Sequence, residues 1–216
     1  MQNPEKQQQK EQQKEQQKSN IDLLNDCSFS PIDSVKDQLT SFDCNDDDLN
    51  DFFKSDSHNY TEQLLGKTYC FVLESSNEIV CAFTLANDSI KASLLPNSRK
   101  KKVQKQIPHQ KTMKSYPAVM IGRLGVDAKF QGCGIGKQLM NFIKGWFIDN
   151  ENKTGCRFIV VDAYVNEKAT AYYQRNGFIN LFSTLEQERE YLGLPKDKEL
   201  DTRLMIFDLI VLRSET

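Results

Sequence analysis

None of the six cysteines in this 216-residue chain forms a CxxC pair, and both histidines lie far from any cysteine pair. Cys27, Cys44, Cys70, Cys81, Cys133 and Cys156 stand 11 to 52 residues apart. That spacing suggests neither a zinc site nor a disulfide framework, and reduced thiols are expected. Long apolar stretches are missing too: no uninterrupted run exceeds five residues, against the roughly 20 needed to cross a bilayer. The first twenty residues hold no apolar segment that would serve as a signal peptide. These absences lead to the expectation of a soluble cytoplasmic protein with no membrane partner. At 38% hydrophobic and 27% charged, the chain is not disordered throughout, and its length suits one domain or at most two small ones.

Charge is nearly balanced in total and uneven along the chain. Residues 1–90 carry 17 acids and 7 bases, residues 91–115 carry 8 bases and no acid, and residues 116–216 carry 13 of each. A whole-protein attraction to nucleic acid is therefore excluded, while a local basic patch is not. Residues 1–20, with eight glutamines and lysines at a four-residue step, offer almost nothing apolar to bury and are expected to be a disordered tail. A single domain over 21–216, with 91–115 as a basic insertion, is the expected organisation.

From Asn45 the pattern is helical: Asp46, Asp47 and Asp48 suit a helix N-terminus, and Leu49, Phe52, Phe53, Tyr60 and Leu64 share a face before Gly66. Thr68–Glu74 and Ile79–Asn87 predict an antiparallel hairpin. In 91–115 periodicity does not distinguish a long connection from an excursion with a short helix. Ala118–Val126 predicts a buried strand leading into Gln131-Gly132-Cys133-Gly134-Ile135-Gly136 and then a helix with Ile135, Leu139, Phe142, Ile143 and Trp146 on one face. Arg157–Tyr164 predicts a second buried strand, so 118–164 forms a right-handed β-loop-α-β unit with parallel strands. Asn166 caps a short helix ending at Gly177. Strands are expected over Phe178–Phe182 and Leu204–Leu212, with a charged, partly helical connection over 184–202.

The glycine loop carries the chemistry. Gly132, Gly134 and Gly136 bare backbone N–H groups at a helix N-terminus, an arrangement that binds phosphate. A nucleotide P-loop would need glycine where Gln131 stands and Ser or Thr where Gln138 stands, and GxGxxG fails because the third glycine comes one residue early. The loop instead reads QxxGxG. With Ile121-Gly122-Arg123-Leu124-Gly125-Val126-Asp127 before it and Asn166 through Tyr172-Tyr173-Gln174-Arg175-Asn176-Gly177-Phe178 after it, the chain resembles the GNAT superfamily of N-acetyltransferases over about residues 40–210.

That resemblance implies an α+β fold with a mixed, mostly antiparallel central sheet and a parallel β-loop-α-β unit that binds acetyl-CoA. Carried over, the pyrophosphate cradle falls to Gln131, Gly132, Cys133, Gly134, Ile135, Gly136 and Lys137. Leu124, Gly125 and Val126, where the family's strands part, would hold the pantetheine arm and acetyl carbonyl. Asn166 is a helix cap and, by resemblance, also a contact near the coenzyme sulfur. Tyr173 matches the family's general acid for the departing thiolate. Tyr172, about 100° away around a helix, cannot point the same way. Cys133 at a helix N-terminus has the setting of a nucleophile, but no histidine is nearby, and loop filler is the preferred reading.

The implied activity is direct acetyl transfer from acetyl-CoA to a primary amine. Asp162 and Glu167 are candidates for a general base, neither assigned. Three acceptor readings stay open: a metabolic or protein amine; aminoacyl-tRNA, because Arg123-Leu124-Gly125-Val126-Asp127 and the tyrosine also resemble toxin-type acetyltransferases; and no acceptor, in an acyl-CoA-binding module. The basic segment 91–114 suits RNA phosphates, although it lacks an aromatic residue to stack bases. A homodimer is common among such proteins, and nothing in the sequence specifies it.

Overall fold

Asp46 opens the first long helical segment, its carboxylate accepting from the Leu49 amide at 3.1 Å. This is a computed structural model describing residues 21–105, 107 and 113–213; the expected tail and part of the basic insertion lie outside them. The chain folds as two compact units: residues up to Leu85 with Arg123–Ile143, and Ala86–Gly122 with Lys144 onward.

In the first unit, strands β1 (Cys27–Pro31), β2 (Lys67–Leu73) and the Glu78–Leu85 part of β3 (Glu78–Ile90) pair antiparallel in that order. The hairpin is as expected. Strand β1 and the helical turns that follow, including α1 (Lys36–Leu39), were not legible. Five residues ending in proline give too short an alternation, and the pairing that makes Cys27–Pro31 a strand is supplied by β2. Helices α2 (Asp47–Asp51) and α3 (Ser57–Glu62) are joined by a π-helical turn over Phe52–Asp56. Phe53, Phe42, Ile32, Cys70, Val72 and Ile79 form this unit's core. Leu64, expected on the buried face, is 90% exposed at φ +59°, because the helix has already ended and Leu64 turns the chain. Gly66 allows the close return: a Cβ there would sit 2.7 Å from the Leu85 carbonyl oxygen.

The second unit contains α4 (Asn97–Gln104), most of β4 (Tyr116–Val126), β5 (Phe158–Tyr164), α6 (Glu167–Arg175), β6 (Ile179–Asn180), α7 (Leu185–Leu192), β7 (Thr202–Asp208) and α8 (Ile210–Arg213). Between β4 and α6 runs α5 (Ile135–Ile148). Ala118–Ile121 pair in parallel with Phe158–Val161, as the crossover predicts, and β5–β7 and β6–β7 are antiparallel. The result is a mixed, mostly antiparallel arrangement with one parallel pair. Its core gathers Tyr116, Phe158, Val160, Phe182, Leu204 and Ile206.

Two expected strands are shorter. Phe178–Phe182 pairs only over Ile179–Asn180. Leu204–Leu212 stops at Asp208, whose carboxylate accepts from the Ile210 amide and pairs with Arg157 through Nε–Oδ1 at 2.7 Å and a second contact at 3.0 Å. That carboxylate starts a helical turn instead.

Candidate active site

In the first unit the candidate residues begin where β4 ends. Asp127, 3% exposed, uses both carboxylate oxygens on backbone: one accepts from the Lys129 amide at 2.9 Å, the other from the Asp43 amide at 3.0 Å. Its own amide donates to the Val80 carbonyl at 2.9 Å. The chain then makes a 3-10 turn over Ala128–Phe130, plugged by buried Phe130, and enters the glycine loop. Gly132 and Gly134 have φ of +81° and +79°, a backbone that only glycine adopts without strain, and a Cβ at either would meet open space. Glycine is required here by backbone direction, not by packing.

The consequence is a set of unused donors. The Lys137 and Gln138 amides close on the Gly134 carbonyl to start α5, while among the described residues the Gly132, Gly134 and Ile135 amides donate to no protein acceptor. Alternating left-handed backbone and a helix N-terminus make a concave anion site. Gly136 is engaged within the protein. Lys137 is exposed, and Cys133 is half-buried with its Sγ 3.7 Å from the Gln131 carbonyl.

Gln131 does something its sequence position did not reveal. Its side-chain amide donates to the Cys44 carbonyl at 2.9 Å and the Val126 carbonyl at 3.0 Å, stapling the loop to the strand end. Gln138 clamps the other flank, accepting from the Leu23 amide at 2.9 Å and donating to the Ile21 carbonyl at 2.8 Å. Leu124 and Val126 are half-buried. Gly125 between them is a close-packing glycine, since a Cβ would lie 3.1 Å from Cys44 Sγ and 3.2 Å from the Phe53 ring. The β4–β5 pairing stops at Ile121 and Val161 although β5 runs on to Tyr164.

In the second unit, Asn166 is the cap the sequence predicted, its side-chain oxygen accepting from the Ala169 amide at 2.7 Å. The helix it opens, α6, has no fully buried residue. Tyr173 packs edge-on against Tyr172 (5.1 Å) and Phe178 (5.5 Å). Desolvation pushes its phenol up to about 12, so it keeps its proton at neutral pH. Asp162 is raised by partial burial first and by the negative charges of Asp88 and Glu188 second. Glu188, 1% exposed, is held by Arg203 Nε at 2.6 Å and by the Leu204 amide, which ties α7 to β7.

Helix α4 resolves the ambiguity of the basic segment. Buried Val103 and Gln104 anchor it, with Gln104 Nε2 donating to Tyr116 Oη at 2.8 Å, and Lys101, Lys102 and Lys105 are exposed. Among the described residues no group of His, Cys, Asp and Glu could hold a metal, and no helix is long and apolar enough to cross a membrane. Gln138 in the first unit, and Asp88, Lys144 and the Glu188–Arg203 pair in the second, were not foreseen from the sequence. Only Lys144 left a sequence trace, as a lysine four residues after Met140 on the buried stripe of α5.

A model of the acetyltransferase (GNAT) domain matches residues 66–180. A tRNA-acetylating toxin of Mycobacterium tuberculosis is 27% identical over 140 residues, covering 65% of this chain and 77% of the toxin. Among solved structures, a tyrosine-to-phenylalanine mutant of KacT superposes with a TM-score of 0.67 at 24% identity, covering 89% of this chain and 100% of that one. AtaT complexed with acetyl-methionyl-tRNAfMet superposes at 0.61 with 22% identity, covering 88% and 99%.

Proposed function

The chain belongs to the GNAT acetyltransferase family, with acetyl-CoA as cosubstrate, and from that premise we propose that its acceptor is the α-amino group of an aminoacyl-tRNA. The observation that carries the reading is helix α4: a folded, anchored helix whose exposed Lys101 and Lys102, with Lys105 at its C-cap, lie in a segment without a single acid. Lysines so displayed neutralise backbone phosphates. The similarity to a tRNA-acetylating toxin over 140 residues supports the same reading.

In this reading the unused amides of Gly132, Gly134 and Ile135 bind the coenzyme pyrophosphate, and Leu124 to Val126 align the acyl arm. The amine lone pair attacks the thioester carbonyl carbon, the C–S bond breaks, and the thiolate takes the phenolic proton of Tyr173, which solvent later replaces. The amine gives up its extra proton to solvent. A free α-amine has a pKa near ~7.7–8.0 against ~10.4 for lysine, so an unprotonated fraction exists at neutral pH without a dedicated base. The acids Asp88 and Asp162 favour approach of the ammonium form.

Radiolabelled acetyl transfer from acetyl-CoA to mixed charged tRNA, deacylated tRNA, peptides, polyamines and aminoglycosides tests the proposal. Label on charged tRNA only, released by base hydrolysis as N-acetylaminoacid, is expected. It should weaken with salt, and a Lys101→Glu/Lys102→Glu chain should lower the log–log salt slope by about 2. Preferential labelling of a peptide or polyamine refutes the tRNA assignment and leaves acetyl transfer standing.

A further inference from the structure

Lys144 is the one lysine the fold buries among the described residues, at 8% exposure, in the middle of a helix that otherwise turns apolar residues inward. Its Nζ donates to the Asn176 carbonyl at 2.6 Å and lies 3.7 Å from the centroid of the Phe207 ring and 5.7 Å from that of Phe178. Asn176 is the C-cap of α6, so a cation sits where the helix dipole is negative. The same corner is closed from within: the Phe178 amide donates to the Tyr173 carbonyl at 3.0 Å, the Gly177 amide to the Gln174 carbonyl at 2.9 Å, and Gly177 has φ +79°. A Cβ on Gly177 would lie 3.1 Å from the Phe207 ring, so that ring is pressed against the turn from the other side.

Helix α6 has no fully buried residue, Ala169–Tyr173 being half-buried on the side that packs against β5, so its own packing leaves part of its orientation to its ends. The C-terminal end, with Tyr173 two residues before Arg175, meets the corner that Lys144 holds: Phe178 touches both the Tyr173 ring and the ammonium. We infer that Lys144 is a positioning residue for the Tyr173 phenol, acting through the C-terminal cap of α6 and the Phe178 and Phe207 rings. The inference rests on Tyr173 being the proton donor of the proposed reaction. A displaced donor loses rate steeply, on the order of 100-fold for about 1 Å.

The test is a double-mutant cycle on the full chain, with Lys144→Met and Tyr173→Phe singly and together, and kcat measured with mixed charged tRNA as acceptor at a temperature where circular dichroism shows every variant folded. Lys144→Gln, which keeps a donor for the Asn176 carbonyl, serves if the Met chain does not fold. Expected are a ~10–100-fold fall in kcat for Lys144→Met with the acetyl-CoA KM within about twofold, and under about twofold further loss when the change is made in the Tyr173→Phe chain. A purely structural lysine would cost the same factor in both backgrounds, and that result overturns the inference alone. A Tyr173→Phe chain that keeps its rate overturns the Tyr173 assignment and this inference with it. An unchanged kcat in Lys144→Met overturns the inference directly.

Discussion

Replacing Gly134 by alanine separates what the glycine loop does for the fold from what it does for the ligand. An added Cβ meets no atom within 4 Å, so no packing penalty arises in the free protein. The cost is conformational: at φ +79° an L-residue loses about 1–2 kcal/mol. Gly145→Ala is the matched control. It too faces open space, but it lies inside α5 with ordinary helical φ, where the same change stabilises by ~0.5–1 kcal/mol. Coenzyme A at 100 times its Kd stabilises the parent by about 2.7 kcal/mol, and a tenfold weaker site in the Gly134→Ala chain reduces that gain to about 1.4 kcal/mol. Urea unfolding of the three chains with and without coenzyme A reads both numbers. Opposite signs are expected without ligand, with a reduced ligand-linked gain only for Gly134→Ala. If that chain keeps a gain within ~0.3 kcal/mol of the parent's, the loop does not hold the pyrophosphate.

Asp162→Asn tests whether a base is needed: with an α-amine acceptor kcat is expected to stay within about threefold, and a 100-fold fall, the usual scale of general-base loss, ends the α-amine reading. Arg203→Leu strands the buried Glu188 carboxylate, held at 2.6 Å in the parent, and is expected to cost ~3–5 kcal/mol in urea unfolding. Adding Glu188→Gln should recover much of it, and a loss below ~1 kcal/mol, the scale of an exposed pair, contradicts the pairing. Burial pulls the Lys144 ammonium from 10.5 down to about 8, so between those values the unfolded chain binds the proton that the folded chain has released. Stability from this group therefore rises from pH 8 to 10.5 and is lost as pH falls back through that window. The buried thiols, raised to about 11 at Cys27, Cys44 and Cys156 and about 12 at Cys70, act in the opposite sense. The observable is accordingly the parent-minus-Lys144→Met difference, which should grow with pH; a flat difference contradicts the desolvation of Lys144.

Features whose cause lies within a few residues were legible from the sequence. Asp46 and Asn166 cap their helices through backbone amides three residues on. Gly132 and Gly134 have the positive φ that glycine alone adopts without strain in the strand-to-helix turn, and the parallel β4–β5 pair follows from a crossover too long for a hairpin. Less legible were segments whose state is decided by a distant partner. Strand β1 exists because β2 pairs with it, and β7 stops early because Arg157 holds the carboxylate that starts the next turn.

The polar ties around the site show why motif reading reaches only the first of two layers. QxxGxG predicts a phosphate cradle from its glycines, yet the side chain of its glutamine is spent on the Cys44 and Val126 carbonyls. A residue that the resemblance places in the cradle is thus an anchor for the strand end. Gln138 reaches back to Leu23, Lys144 reaches forward to Asn176, and Glu188 meets Arg203. None of these pairs has a spacing that marks it, because the partners are far apart in sequence and meet only in the folded chain. Each ties one element of its unit to another through a side chain. A substitution at one of them should therefore change geometry at the motif while leaving every motif residue in place, and a loss of rate with all motif residues intact is the signature to expect.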